Sequence, residues 1–405
     1  MNYKVVTPSE CNPEKIIHQK ILLPFEPVVV EFIGSLSREI LTNSSFRDFP
    51  EMIAMAYWMR EANLRRLEKD FFDKKKDRLW IGRGIVFHIA PANVDSVFVY
   101  SWFLSMMAGN INIIRVSSRT GRQIEILLEA VNTLCRAPKF RAVTDRFMVI
   151  RYEHDEEITG FFSLLCDVRV IWGGDSTVRS VRRIPLKTTA AELTFADKFS
   201  LCLIKSGSFL EDGQKDRIID AFYNDAYWFG QLACSSPRLV VWIGTDEESE
   251  QARGLFWRML EKKVLQKMPQ MSAAAAIDKL VAEYSVAVLD PLAKIEKSET
   301  SLINRVLLGS NRDIVKGLHC GGGLFYELKL ESINQLAEGI SRKEQTVGVF
   351  GFDKAELTDF INEKRPQGID RFVSVGSALN FSPIWDGYDL LREFCREIEL
   401  DIRYK

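Results

Sequence analysis

The stretch from Gly84 to Val116 constrains the fold more than any other part of the chain. Gly84-Ile85-Val86-Phe87-His88-Ile89-Ala90 is a near-continuous apolar run, which reads as a strand buried on both faces of a parallel sheet. Helical sequence follows from Ser96 to Ala108 and is closed by Gly109-Asn110. Ile111-Asn112-Ile113-Ile114-Arg115-Val116 then supplies a second strand. Strand, helix and strand in this order form the βαβ unit of an α/β fold. Arg122–Cys135 continues as a helix, and Arg146–Ile150, Val168–Trp172 and Phe199–Ile204 as further strands.

Elsewhere the pattern is more mixed. Ile21–Pro24 and Val28–Ile33 read as short strands or edges around prolines, and Pro50–Phe72 as a helix. Residues 206–264 are largely helical apart from the strand Leu239–Ile243, and a helix opens at Ser272. Short strands and turns fill 285–330. Helices around Ser332–Arg342 and Lys354–Glu363 flank the strand Thr346–Phe350. The residues from Glu397 to Tyr404 alternate polar and apolar, as a half-buried strand does, and a neighbouring subunit is the expected edge for it to pair with.

A chain of 405 residues exceeds what one core serves, so two large domains are expected. A net charge of −1 provides no field to attract nucleic acid or an anionic membrane. Seven scattered cysteines without a CxxC pair argue against a disulfide framework or a zinc site, and for a reducing cytoplasm. Met1-Asn2-Tyr3-Lys4 lacks the apolar core of a signal peptide, and no apolar run is long enough to span a bilayer.

Several side chains could carry chemistry. Cys234 lies in Phe229-Gly230-Gln231-Leu232-Ala233-Cys234-Ser235-Ser236-Pro237, between the helix Arg217–Trp228 and a strand. A thiol on such a corner can be both exposed and rigid, as a nucleophile requires, although a lone cysteine is more often core. Asn93, in Pro91-Ala92-Asn93 past the end of a strand, can donate to an oxyanion or cap the next helix. Arg115, Ser117, Ser118 and Arg119 make either a phosphate clamp or a solvated strand end. Gly173-Gly174-Asp175-Ser176 closes a strand where backbone amides can approach a phosphate. Glu192 is a general base if its apolar setting raises its pKa, or a surface glutamate at a turn. Cys320 beside His319 is a rival thiol, but neighbours on a strand point to opposite faces, and Gly321-Gly322-Gly323 reads as a turn or a close backbone approach.

In this order the motifs resemble the aldehyde dehydrogenase superfamily, and most closely the LuxC acyl-CoA reductases of the bacterial luminescence fatty-acid reductase complex. The resemblance covers about residues 80 to 385. It implies an α/β fold of two doubly wound domains with a small strand extension for oligomerisation. Residues 1–205 would bind a nicotinamide cofactor, 206–385 would carry the nucleophile, and 386–405 would form the oligomerisation tail. It assigns Cys234 as nucleophile, Asn93 as oxyanion donor and Glu192 as base, with Ala90, Pro91, Arg115, Ser117, Ser118, Gly173, Gly174 and Ser176 at the cofactor and no metal. Two departures stand out. Thr194-Phe195 replaces a Gly-Gly pair after the glutamate, and Ser118 replaces a ribose-binding glutamate that would repel a 2′-phosphate. With Arg115 and Arg119 beside it, Ser118 points to NADPH in preference to NAD. The implied reaction is reduction of a long-chain acyl-CoA or acyl-protein thioester to the aldehyde, with an acyl-protein synthetase as partner and a homodimer or homotetramer as assembly. An aldehyde-oxidising dehydrogenase and a cofactor-free cysteine acyltransferase or thioesterase are the alternatives.

Overall fold

The computed structural model describes all residues except 1–2, 10–12, 74–77, 91–96, 118–120, 268–270, 297, 299, 310–313 and 403–405. The chain divides into two compact units, residues 1–197 with 381–405, and residues 198–380.

Up to residue 197 the strands of the first unit are β1 (Lys4–Thr7), β2 (Arg78–Gly82), β3 (Ile85–Ile89), β4 (Ile111–Val116), β5 (Phe147–Arg151), β6 (Val168–Trp172) and β7 (Ala191–Phe195). All but β2 join one sheet in the order β1-β5-β4-β3-β6-β7, and only β1 runs antiparallel to its neighbour. β3, β4 and β6 are buried at every position, as their unbroken apolar runs require. The helices of the same stretch are α1 (Pro13–Ile17), α2 (Pro27–Thr42), α3 (Pro50–Trp58), α4 (Glu61–Asp73), α5 (Val97–Met107), α6 (Arg122–Cys135), α7 (Arg141–Thr144), α8 (Glu156–Leu165) and α9 (Asp175–Arg182). From Phe98 to Met107, α5 has no exposed residue. A helix apolar all round must be covered on every side; the sheet covers one side of α5 and α2 another.

Here the structure corrects three expectations. Val28–Ile33 lies in α2 and forms no strand. Pro27 starts the helix with its φ already set, and Val29, Val30, Phe32, Ile33, Leu36 and Ile40 bury one helical face, so a helical period sustained over sixteen residues overrides the local β-branched run. The helix expected over Pro50–Phe72 is broken at Met59-Arg60 into α3 and α4. The closing strand, Cys395–Glu399, finds its edge inside the chain. It pairs antiparallel with β2, from Cys395 opposite Gly82 to Glu399 opposite Arg78.

The second unit contains β8 (Phe199–Lys205), α10 (Ser206–Glu211), α11 (Lys215–Tyr227), β9 (Pro237–Ile243), α12 (Asp246–Lys267), α13 (Ala273–Leu289), β10 (Lys294–Glu296), β11 (Asn304–Leu307), β12 (Leu324–Leu330), β13 (Glu344–Phe350), α14 (Lys354–Lys364) and β14 (Arg371–Ser374). The sheet order is β10-β11-β12-β9-β8-β13-β14, parallel except at β10. β8, grouped with the first domain on sequence, lies inside this second sheet between β9 and β13, while the chain beyond Asn380 returns to the first unit. Residues 333–339, expected as a helix, form a 3-10 helix with a Ser332–Gln335 capping box.

Glu327 on β12 fixes the packing of α12. Its fully buried carboxylate accepts from Trp242 Nε1 at 2.9 Å, Trp257 Nε1 at 2.6 Å and Arg253 Nε at 2.9 Å. A buried charge is tolerable when paired and hydrogen-bonded in this way.

Candidate active site

Cys234 is presented by a loop whose backbone is tied down on all sides. α11 runs out at Tyr227, and Gly230 N–H donates to Tyr227 O at 3.0 Å. Gly230 and Gln231 then take φ of +58° and +63°, turning the chain sharply. Gln231 is wholly buried. Its Nε2 donates to Pro237 O and Leu324 O, each at 2.9 Å, and its Oε1 accepts from Gly323 N–H at 2.9 Å. The carbonyl of Cys234 accepts from Ser200 Oγ at 2.6 Å, and that oxygen in turn accepts from Thr346 N–H at 3.2 Å. The loop therefore rests on the amino ends of β8, β9, β12 and β13, and Cys234 stands exposed above them.

The other described cysteines are poorly placed for attack. Burial pushes Cys135, Cys166 and Cys395 up to about 12 and Cys202 well above its ordinary value. Cys320 is half-buried and raised, chiefly by desolvation. Among the described cysteines only Cys234 is exposed; Cys11 lies outside the described residues. His319 is no base for Cys320. Its Nδ1 accepts from Gly321 N–H at 3.2 Å, and burial, aided by the charge of Arg238, pushes it down to about 2.

The glycine run beside this rival thiol instead supports the Cys234 loop. Gly322 N–H donates to Gly230 O at 3.0 Å. A Cβ added at Gly321 would fall 2.9 Å from the same oxygen, and Gly321, Gly322 and Gly323 all have positive φ. Sequence reasoning read a turn or close approach here but missed what it approaches, because the partner lies some ninety residues away in the chain.

In the first unit, strand order reverses between β3 and β6, the switch point at which doubly wound sheets take ligands beyond their carboxyl ends. Ala90 follows β3, and its N–H donates to Arg115 O at 3.0 Å. Pro91 and Asn93 lie outside the described residues, as does Ser118. Arg115 is 8% exposed at the end of β4, where it donates to Tyr152 O at 3.2 Å with its guanidinium 5.3 Å from the Tyr152 ring centroid. Burial lowers its pKa, opposed by Tyr152 and Glu153. Ser117 is half-buried next to it.

Gly173 and Gly174 end β6, and α9 begins at Asp175. A Cβ on Gly173 would lie 2.9 Å from Thr177, so the turn is as tight as glycine allows. Ser176 is exposed on the first turn of α9. The Asp175 N–H, however, already donates to Asp197 Oδ2 at 3.1 Å. These strand ends and the glycine turn fit a dinucleotide at the switch point, but the first amide of α9 is capped by a carboxylate.

Glu192 lies within β7 and begins no turn. Its Oε2 accepts from Arg169 Nε at 2.8 Å and also from the second guanidinium nitrogen of Arg169, while Oε1 accepts from Arg182 Nε at 2.9 Å. Arg169, 2% exposed, also donates to Ser163 Oγ and Ile184 O, each at 3.0 Å. Glu192 is thus engaged with two cations, and acting as a base would require leaving them. The Thr194-Phe195 departure also has a physical role. The Phe195 ring stacks on Trp172 with centroids 3.9 Å apart, and its carbonyl accepts from Gly173 N–H at 3.1 Å. The bulk that replaces a glycine braces the start of the Gly173 turn.

Among the described residues, no group of three or more His, Cys, Asp or Glu side chains could hold a metal ion, and no helix is long and apolar enough to cross a membrane.

Known structures share this fold at low sequence identity. An NAD-dependent aldehyde dehydrogenase from Sinorhizobium meliloti is 12% identical with a TM-score of 0.65, covering 99% of this chain and 86% of that one. AldH of Staphylococcus aureus, in a substrate-bound state, is 12% identical with a TM-score of 0.61, covering 94% and 91%. PnpE in complex with nicotinamide adenine dinucleotide is 13% identical with a TM-score of 0.61, covering 93% and 84%. No curated protein matches the sequence. The family model for acyl-CoA reductase (LuxC) matches residues 61–397, and the chain belongs to that family.

Proposed function

We propose that this protein reduces a long-chain acyl thioester, carried on CoA or on a protein, to the aldehyde with NADPH through an acyl group on Cys234. The observation that carries the reading is the exposed Cys234 thiol on a backbone-locked loop, in a chain of the acyl-CoA reductase family. The Cys234 thiolate adds to the thioester carbonyl carbon. The tetrahedral oxyanion collapses, the C–S bond to the donor breaks, and the donor thiol leaves with a proton. The oxyanion role falls to the Cys234 N–H and, by family resemblance, to Asn93. The nicotinamide cofactor supplies a hydride equivalent, which reduces the acyl carbon. Cys234 holds that carbon as a thiohemiacetal; its C–S bond then breaks, the hydroxyl proton passes to the departing sulfur, and aldehyde and the Cys234 thiol are released.

No step consumes water. The engaged state of Glu192 therefore favours reduction over aldehyde oxidation, in which a free base must activate water. Ala90, Arg115, Ser117, Gly173, Gly174 and Ser176, with Pro91 and Ser118, are the proposed cofactor contacts. The Arg115–Arg119 segment underlies the preference for NADPH. An acyl-protein synthetase is the proposed source of a protein-bound donor, and the cytoplasm the proposed site of the reaction.

The test is turnover of acyl-CoAs of increasing length with NADPH and NADH, followed by cofactor absorbance, together with mass spectrometry of the acylated protein. The expected result is NADPH-dependent turnover, with an acyl label on Cys234 that is lost in Cys234→Ser. Thioester cleavage without nicotinamide consumption, or a label on Cys320, would overturn the proposal.

A further inference from the structure

α13 is an amphipathic helix turned inside out. Its buried face carries Lys279 and Glu283 together with Ala282 and Val286. Lys279 Nζ donates to Ser301 O, and Glu283 accepts from Asn304 Nδ2 at 2.5 Å. The outward stripe is Ile277, Val281, Tyr284 and Val288, flanked by Leu280, Leu289 and, just past the helix, Leu292; their exposures run from 45% to 79%. This spacing is one helical face, and a helix of a globular protein ordinarily turns such a face to a core.

The area and the charge of the stripe say what covers it. These side chains expose on the order of 800 Å², the share that each partner contributes to a standard protein–protein interface, and more than scattered surface residues explain. Asp278 is the single exposed charge on α13. Two copies of one chain bring identical charges to a two-fold contact, so a self-associating face must be close to neutral, as this one is. A helix that binds an anionic lipid surface carries lysines and arginines on its outer face, and α13 exposes none.

We propose that a second copy of this chain covers the stripe through a two-fold contact in which α13 packs on α13, with Tyr284 near its centre. The test is light scattering coupled to size exclusion, on the full chain from about 1 to about 100 µM, for the natural protein and for Val281→Asp/Val288→Asp. Both valines are exposed, so the circular dichroism spectrum should be unchanged while the mass falls twofold. Tyr284→Cys in a Cys234→Ser background should be cross-linked to its counterpart by a short bis-maleimide. A natural protein that is monomeric throughout, or an unchanged mass in the folded double variant, overturns the proposal. So does pelleting with phosphatidylglycerol vesicles that the double variant loses, which would assign the face to lipid.

Discussion

Gln231 is the test of whether the Cys234 loop is held as described. Gln231→Ala removes two donated bonds and one accepted bond from a site with no exposure. Each orphaned buried group costs about 1–3 kcal/mol. The Pro237 and Leu324 carbonyls have second lone pairs to share, whereas the Gly323 N–H has one hydrogen and loses its partner. The expected loss is therefore about 2–4 kcal/mol. Gln231→Gly removes the same bonds but eases the left-handed backbone, recovering roughly 1 kcal/mol. Gln231→Glu keeps the acceptor for Gly323 and sets a second oxygen against two carbonyls, so only its protonated form can donate to them. Its folded pKa is raised, and its stability should fall as pH rises through that value. Urea unfolding and hydrogen exchange at Gly323 are the assays, with exchange rising about thirtyfold or more in Gln231→Ala. The rate of Cys234 acylation should fall in parallel. A loss below about 0.5 kcal/mol with unchanged Gly323 exchange would refute the account, because the loop would then be held by something else.

Three further outcomes are expected. Burial raises Asp225 to about 6 although it accepts from Gly376 N–H at 2.6 Å and Ala378 N–H at 3.0 Å. An acid raised in the fold binds its proton more tightly there than when unfolded, so this contribution is present below about pH 4 and lost by about pH 6. Asp225→Asn should flatten that slope in urea midpoints measured across the range. Asp197→Asn removes a carboxylate from the first amide of α9 and should tighten NADPH binding about fivefold by fluorescence titration, an effect near 1 kcal/mol; an unchanged or weaker affinity counts against a phosphate at the Gly173-Gly174 turn. Glu192→Gln should lower the melting temperature by breaking buried pairing with Arg169, yet leave kcat within about threefold. A loss of a hundredfold or more in a fully folded variant would make Glu192 the base after all.

What the sequence revealed follows the range of the interactions involved. β3, β4 and β6 were legible because burial on both faces writes an unbroken apolar run into a few consecutive residues. α2 was misread because Val28-Val29-Val30 satisfies a strand locally, and only the longer period through Ile40 discloses the helix. The motif around Cys234 drew notice, but the partners that hold it are Ser200, Gly322, Gly323 and Leu324, distant in the chain and mostly contacted through backbone atoms that leave no side-chain signature. Glu192 was ambiguous for the same reason. Its two arginines come from β6 and α9, and nothing in Ala190-Ala191-Glu192-Leu193 announces them.

The proposed cofactor turn and the proposed nucleophile lie at opposite ends of their own strands, the carboxyl end in the first sheet and the amino end in the second. The carboxyl edge of the first sheet leads into helix N-termini such as that of α9, where the dipole favours an anion and the Asp197 carboxylate already takes the first amide. Cys234 lies at the amino edge of the second sheet, seven residues after α11 ends, so the nearest helix terminus along the chain is a carboxyl one that opposes a thiolate. The second unit thus gives Cys234 rigidity and exposure. Acylation of Cys234 should slow as pH falls, because the thiolate is the attacking species. A rate that rises as pH falls would refute attack by the thiolate.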